Sequence, residues 1–307
     1  MKGLDLCEEY YLAYGSAMIK TKFPGLESRL AAGLVGEGSE CFGFDDEISR
    51  DHDWGPGFCL WLDSEDYASV GPALDAEYQK LPKTIGNFNR LYSRWGKSRV
   101  GVMEIGAFYR SFIGLDHAPE SARQWFQIPE HLLAACTNGR IFNDQSGKFS
   151  AIREDLLSFF PEEVRLAKMV ARCAAAAQSG QYNYPRMLKR NDPFAAQYAV
   201  IQFCSEIISL AFLLNRRFCP YYKWRHRAVR VLPVMGEYLY DHVRNLVLER
   251  NDPQKAELIE NVSSAVIDAL RRENLSGNAS DFLLDHAVEM AEKISDPTIA
   301  RVARVWV

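Results

Sequence analysis

The chain has 307 residues, 48% hydrophobic and 25% charged, which is ample for a packed core and, on length, suits about two domains. A net charge of −4 gives no basic field for a long nucleic acid, although a local basic patch could still hold a phosphorylated ligand. The seven cysteines are odd in number, lack a C-x-x-C pair and lie mostly in apolar stretches, which reads as free thiols in a reducing cytosol and speaks against a disulfide frame or a zinc site.

The opening MKGLDLCEEYYLAYG lacks the basic and apolar regions of a signal peptide, and no apolar run reaches about 18 residues. A cytoplasmic location without a membrane partner is expected. Residues 4–20 read as an amphipathic helix. Short apolar runs separated by Gly, Pro and Asp then predict strands at Ala31–Val35, Phe58–Leu62, Val100–Phe108 and Arg140–Phe142. Helical stretches lie near Ala73–Leu81 and Ile128–Ala135. After about Phe149 the spacing becomes helical throughout, near 151–158, 161–178, 193–214, 224–248, 253–273 and 279–294. Asn-Asp-Pro at 191–193 and 251–253 supplies a cap and a helix start each time. The expected layout is α+β: an α/β domain with a mixed sheet over 1–150, followed by a helical bundle over 151–307.

The chemistry concentrates between Leu34 and Leu62, LVGEGSECFGFDDEISRDHDWGPGFCLWL. An apolar strand ends in Gly36-Glu37-Gly38-Ser39, where glycines let the backbone approach a phosphate and N–H groups with the Ser hydroxyl serve as donors. Taken alone, this is also an ordinary tight turn, and it lacks the Lys of a P-loop. Asp51-His52-Asp53 leads into the next apolar run. In extended chain Asp51 and Asp53 would face one side and share a cation, with Mg²⁺ the natural occupant; a solvated acidic turn is the plain alternative. Glu104 interrupts the apolar VGVMEIGAFY as a third carboxylate, or as an edge-strand residue facing water. Gln181, Tyr182, Asn183 and Arg186 form a polar, aromatic loop between helices, suited to a base, sugar or acceptor. The segment LLNRRFCPYYKWRHR interleaves Arg216, Arg217, Lys223, Arg225 and Arg227 with aromatic residues, and reads either as a phosphate site or as a helix end with snorkelling basic groups.

Gly38-Ser39, then Asp51-x-Asp53, then an apolar strand bearing Glu104 resembles the nucleotidyltransferase superfamily with its polymerase-beta-like fold. More narrowly, GSECFGFDDEISRDHDWGP, TNGRIFNDQSGKF, GQYNYPRMLKR and LLNRRFCPYYKW look like the DUF4037 family of nucleotidyltransferase-like proteins. The order after Glu104 is also similar to aminoglycoside (streptomycin) adenylyltransferases, with Asp144 standing where a further acidic residue falls.

The resemblance implies a two-metal transferase. Asp51, Asp53 and Glu104 would hold two Mg²⁺ ions, and Glu104 could act as base for an acceptor hydroxyl. Gly38 and Ser39 would grip the phosphates of ATP, and Lys223 would reach the triphosphate. AMP would pass to a hydroxyl on an unknown acceptor, a small molecule or a protein side chain. Two other readings stay open: a catalytically lapsed nucleotide sensor or interaction protein, and a metal phosphohydrolase, for which the upstream histidines are missing.

Overall fold

The computed structural model describes residues 1–91 and 99–305. It has a mixed α+β architecture that divides into two compact units, Met1–Pro119 with Ile128–Ser158, and Glu120–Gln127 with the chain from Phe159 onward.

The first unit opens with α1 (Gly3–Tyr10), which runs through a wide π-turn (Tyr11–Gly15) into α2 (Ser16–Lys22). Gly15 is required within the π-turn, because a Cβ there would stand 2.5 Å from the Phe58 ring. Next come β1 (Ala31–Leu34), β2 (Cys59–Leu62), α3 (Ser64–Tyr78), the small hairpin β3 (Thr84–Ile85) and β4 (Phe88–Asn89), β5 (Gly101–Glu104) and α4 (Ile105–Ile113). After α5 (Ala122–Gln127), which belongs to the second unit, the chain returns with α6 (Glu130–Thr137), β6 (Arg140–Asp144) and α7 (Lys148–Leu157).

The four-stranded sheet has the order β5-β2-β1-β6. β1 is antiparallel to both neighbours and β2 is parallel to β5, with Leu62 opposite Glu104 and Gly33 opposite Cys59. The two central strands are buried on both faces. Alternation along β2 explains the two cores: Leu60 and Leu62 join Phe58, Tyr10, Tyr11, Ile19 and Leu74 on one side. On the other, Trp61 stacks on Phe149 at 4.1 Å and meets Phe108 edge-on at 5.4 Å.

The second unit continues with α8 (Glu162–Ala176), a π-turn (Ala177–Asn183), α9 (Tyr184–Lys189), α10 (Pro193–Leu214), α11 (Tyr222–Val229), α12 (Gly236–Leu248), α13 (Asp252–Arg272), α14 (Leu283–Glu292) and α15 (Pro297–Ala303). Asp192 and Asn251 cap α10 and α13 through Ala195 N and Gln254 N, as the repeated Asn-Asp-Pro predicts. Among the described residues α10 is the one helix long and apolar enough to cross a membrane, and most of its apolar window is buried within the protein.

Three elements differ from the sequence reading. The strand expected over Val100–Phe108 ends at Glu104, because Ile105, Phe108, Tyr109 and Ile113 recur at helical spacing and bury one face of α4. The helix expected over 224–248 breaks between Val229 and Gly236; Pro233 lies in the gap, Met235 is left-handed at φ 64°, and a Cβ on Gly236 would strike Val229 O. The loop expected around Gln181–Arg186 is helical instead. There Ser179 Oγ donates back to Ala175 O at 2.6 Å and Gly180 packs directly against Phe203, so the chain widens into a π-turn without leaving the helix.

Candidate active site

The turn after β1 is built from two directions. Gly36 takes φ 144°, open to glycine and strained for other residues. Its N–H donates to Asn138 Oδ1 at 3.0 Å, and its carbonyl accepts from Asn138 Nδ2 at 2.7 Å. Asn138 is fixed in turn by Arg153, whose Nη2 donates to the carbonyls of Thr137 and Asn138 at 2.7 and 3.3 Å. Gly139 N–H donates to Cys41 O at 2.9 Å, and a Cβ on Gly139 would lie 1.9 Å from Leu34 O. With Gly36 held, the N–H groups of Glu37, Gly38 and Ser39 follow in succession and make no hydrogen bond among the described residues. Successive unspent amides of this kind suit an anion.

Beside the turn lies a buried ion pair, Glu40 with Arg90, at 3.5 Å. The Glu40 carboxyl occupies the space a Cβ on Gly38 would need, 2.6 Å away. Arg90 Nη2 also donates to Asp53 O at 2.9 Å, which ties the Asp53 backbone to the same wall. A cavity of about 470 Å³ opens here, within the range of small-ligand sites. Gly36, Glu37 and Gly38 line it together with Arg90, Arg99, Glu104 and Tyr67, and with an apolar wall that includes Val102, Phe108, Phe112 and Leu132. All of these belong to the first unit.

Glu104 stands at the junction of β5 and α4, in the cap position with φ −76° and ψ 136°. It is half-buried, and its carboxylate caps no helix amide and makes no hydrogen bond among the described residues. The strand register sets its distance from the turn. The turn follows Leu34 at the end of β1, one residue past Gly33, which pairs with Cys59 and through it with Gly101, whereas Glu104 ends β5. Four residue steps at about 3.3 Å each put the end of β1 and Glu104 about 13 Å apart along the sheet. The cavity therefore runs along β5 from the amide turn to the carboxylate.

Asp51 and Asp53 do not take the extended geometry expected for them. A 3-10 turn covers Ile48–Asp51, Asp53 is left-handed at φ 55°, and Gly55, Pro56 and Gly57 delay the strand to Cys59. The two side chains consequently part. Asp51 is 63% exposed and pairs with His52 Nδ1 at 2.9 Å, while Asp53 is buried and its N–H donates to Leu91 O at 2.6 Å. Neither lines the cavity with Glu104. Among the described residues no group of three His, Cys, Asp or Glu side chains is gathered that could hold a metal ion, so these three carboxylates, as arranged, do not fit a two-ion centre.

Ser39 is half-buried and starts the 3-10 turn Glu40–Phe42; its carbonyl accepts from Phe42 and Phe44 N–H. Asp144 ends β6 opposite Ala31 and accepts from Ser150 N and Ser146 Oγ. In the second unit Gln181 has its amide committed: Nε2 donates to Glu260 at 2.8 Å and Asp281 O at 2.9 Å, and Oε1 accepts from Leu283 N. Contact with a nucleotide base would require these bonds to break. Arg186 lies over the exposed Tyr182 ring at 4.7 Å, and Lys223 lies over Trp224 at 4.9 Å on α11.

The sequence reading missed Glu40, Arg90, Arg99 and Asn138. Asn138 sits in the quoted TNGR string, and an Asn-Gly pair before a strand is a readable turn signal. Arg90 and Arg99 carry no local pattern, and only the fold brings them to the turn.

Residues 125–225 match the family described as "Domain of unknown function (DUF4037)". The matched segment starts in α5, takes in Asn138 and β6, and ends in α11. No curated protein matches the sequence. Among solved structures, the chain is similar to a nucleotidyltransferase-like protein from Exiguobacterium sibiricum, at 12% identity and a TM-score of 0.35, over 96% of this chain and 91% of that one.

Proposed function

We propose that the first unit binds a nucleoside triphosphate, with ATP as the expected donor, and transfers its nucleoside monophosphate to a hydroxyl of a second substrate. The observation that carries this reading is a single cavity lined by both the Gly36–Gly38 turn and Glu104. The amides of Glu37, Gly38 and Ser39 would bind terminal phosphate oxygens, and Arg99 would add positive charge where that of Arg90 is answered by Glu40. Glu104 would accept the hydrogen bond of the incoming hydroxyl and take its proton as the oxygen bonds to the α-phosphorus. The bond from that phosphorus to the pyrophosphate oxygen breaks in the same step. The products are a nucleoside monophosphate ester and pyrophosphate, and Glu104 returns its proton to water. Asp51, Asp53 and Glu104, which do not line the cavity together, would not hold a pair of Mg²⁺ ions in this arrangement.

That same separation favours a second reading, a protein that binds the nucleotide and has lost transfer. ATP labelled on the α-phosphate, added with cell extract, decides between them. Transfer supports the first reading if label reaches an acceptor with wild type and falls about 10²–10⁴-fold in Glu104→Gln while ATP stays bound. ATP binding by the wild type without any label transfer leaves the sensor, and no binding at all defeats both.

A further inference from the structure

We infer that the face of α4 beside Glu104 holds the acceptor, and that this acceptor is an uncharged small molecule carrying its hydroxyl on an aromatic body. The inference rests on the transfer reading, since it takes Glu104 as the partner of the reacting hydroxyl. Ala107, Phe108, Ser111 and Phe112 line the cavity and share one face of α4 within two turns of Glu104. A molecule whose hydroxyl meets Glu104 has these side chains as the adjoining surface for its body. The Phe108 and Phe112 rings lie 5.1 Å apart at 56°, with Val102 and Leu132 completing an apolar wall. Aromatic groups dock on such tilted ring pairs by edge and offset contacts.

Charge favours a neutral body. Among the described residues, Glu40 and Arg90 pair at 3.5 Å, and Arg99 and Glu104 are further opposed charges lining the cavity, with Glu37 at its exposed rim. A cationic acceptor would meet Arg99 and the positive N-terminal end of α4, and an anionic one would meet Glu104. A neutral body meets no like charge. Walls drawn from the β1 turn, α3, β5, α4 and α6 around about 470 Å³ suit a small molecule better than an extended chain.

The test uses three para-substituted phenols, neutral 4-ethylphenol, cationic tyramine and anionic 4-hydroxyphenylacetate, titrated into the full chain by saturation-transfer NMR. ATP and adenosine are titrated alongside. We expect 4-ethylphenol to bind about tenfold more tightly than either charged analogue. Ser111→Trp, placed on the exposed side of α4 to fill the wall, should weaken it about tenfold while ATP affinity changes less than about twofold. Ala107→Leu repeats the obstruction should the Trp variant fail to fold. Preference for a charged phenol overturns the acceptor class. Unchanged 4-ethylphenol affinity in the filled variants overturns the site. Loss of ATP and adenosine binding in those variants makes the wall a base site instead. Failure of ATP to bind the wild type defeats the transfer reading separately, and it leaves the phenol comparison to be scored by itself.

Discussion

Asn138 holds both polar groups of the Gly36 backbone, accepting its N–H at 3.0 Å and donating to its carbonyl at 2.7 Å across 102 positions of sequence. A side-chain amide is the group that can do both at once, since it carries a donor and an acceptor side by side. Asn138→Ala should remove about 1–3 kcal/mol of stability from the two lost bonds. It should also weaken ATP binding, because the following amides lose their fixed direction. Urea denaturation and ATP titration measure the two effects, and a destabilised variant with unchanged ATP affinity would show that the clamp serves the fold alone.

Gly139 is the tightest contact around that turn. It takes φ 67°, and an added Cβ would sit 1.9 Å from the Leu34 carbonyl oxygen, a backbone atom that cannot swing aside. The left-handed strain alone is worth roughly 1–3 kcal/mol, and the overlap adds to it. Gly139→Ala should accordingly lower the melting temperature more than Gly147→Ala, which has a similar φ of 70° and no atom near its Cβ. Equal shifts for the two variants would contradict the close approach.

Acid should loosen one loop of the second unit. The Glu289 carboxylate is held near pKa 2 by the N–H of Gly277, then by the Ser276 hydroxyl and the N–H of Asn278. A folded pKa below the ordinary value of 4.5 means the stabilisation is complete above about pH 4.5 and is lost as pH falls towards 2. Glu289→Gln should be less stable than wild type at neutral pH, and the gap should narrow across that window. A gap that stays constant down to pH 2 would remove the carboxylate from the account.

The thiols give a chemical check on the core. All seven cysteines are free and buried, and burial pushes the Cys7 and Cys59 thiols up to about 12. Thiolate is the reactive form, so iodoacetamide at neutral pH should label none of them in the native protein and all seven after denaturation. Rapid native labelling at Cys7, Cys41 or Cys59 would mean that the wall around Arg90 opens readily.

Local patterns carried the sequence reading well where they matched tertiary demands. The small-residue run Ala31–Leu34 and the apolar Cys59–Leu62 became the two central strands, and the Asn-Asp-Pro pairs became helix starts. Gly36 and Gly38 were legible as a turn, and Glu104 as an acidic residue inside an apolar stretch. What stayed hidden was set by distant contacts. Alternation could not show that Asp51 ends a 3-10 turn, because a single positive φ at Asp53 undoes the two-residue rule. Nor could spacing reveal the Glu40–Arg90 pair, whose members lie 50 residues apart.

The second unit is interrupted by the first: Glu120–Gln127 belongs to it, Ile128–Ser158 does not, and it resumes at Phe159. Trp125 of the early piece meets Phe160 of the later one at 5.6 Å, and Lys168 lies over Phe126 at 5.3 Å. No uninterrupted stretch of gene encodes the helical unit without also encoding β6, the edge of the other unit's sheet. Recombination therefore cannot pass the helical unit to another protein as a free cassette, nor exchange residues 1–119 without separating β1 from its partner β6. Whatever these helices do, they are inherited together with the strand that follows Asn138.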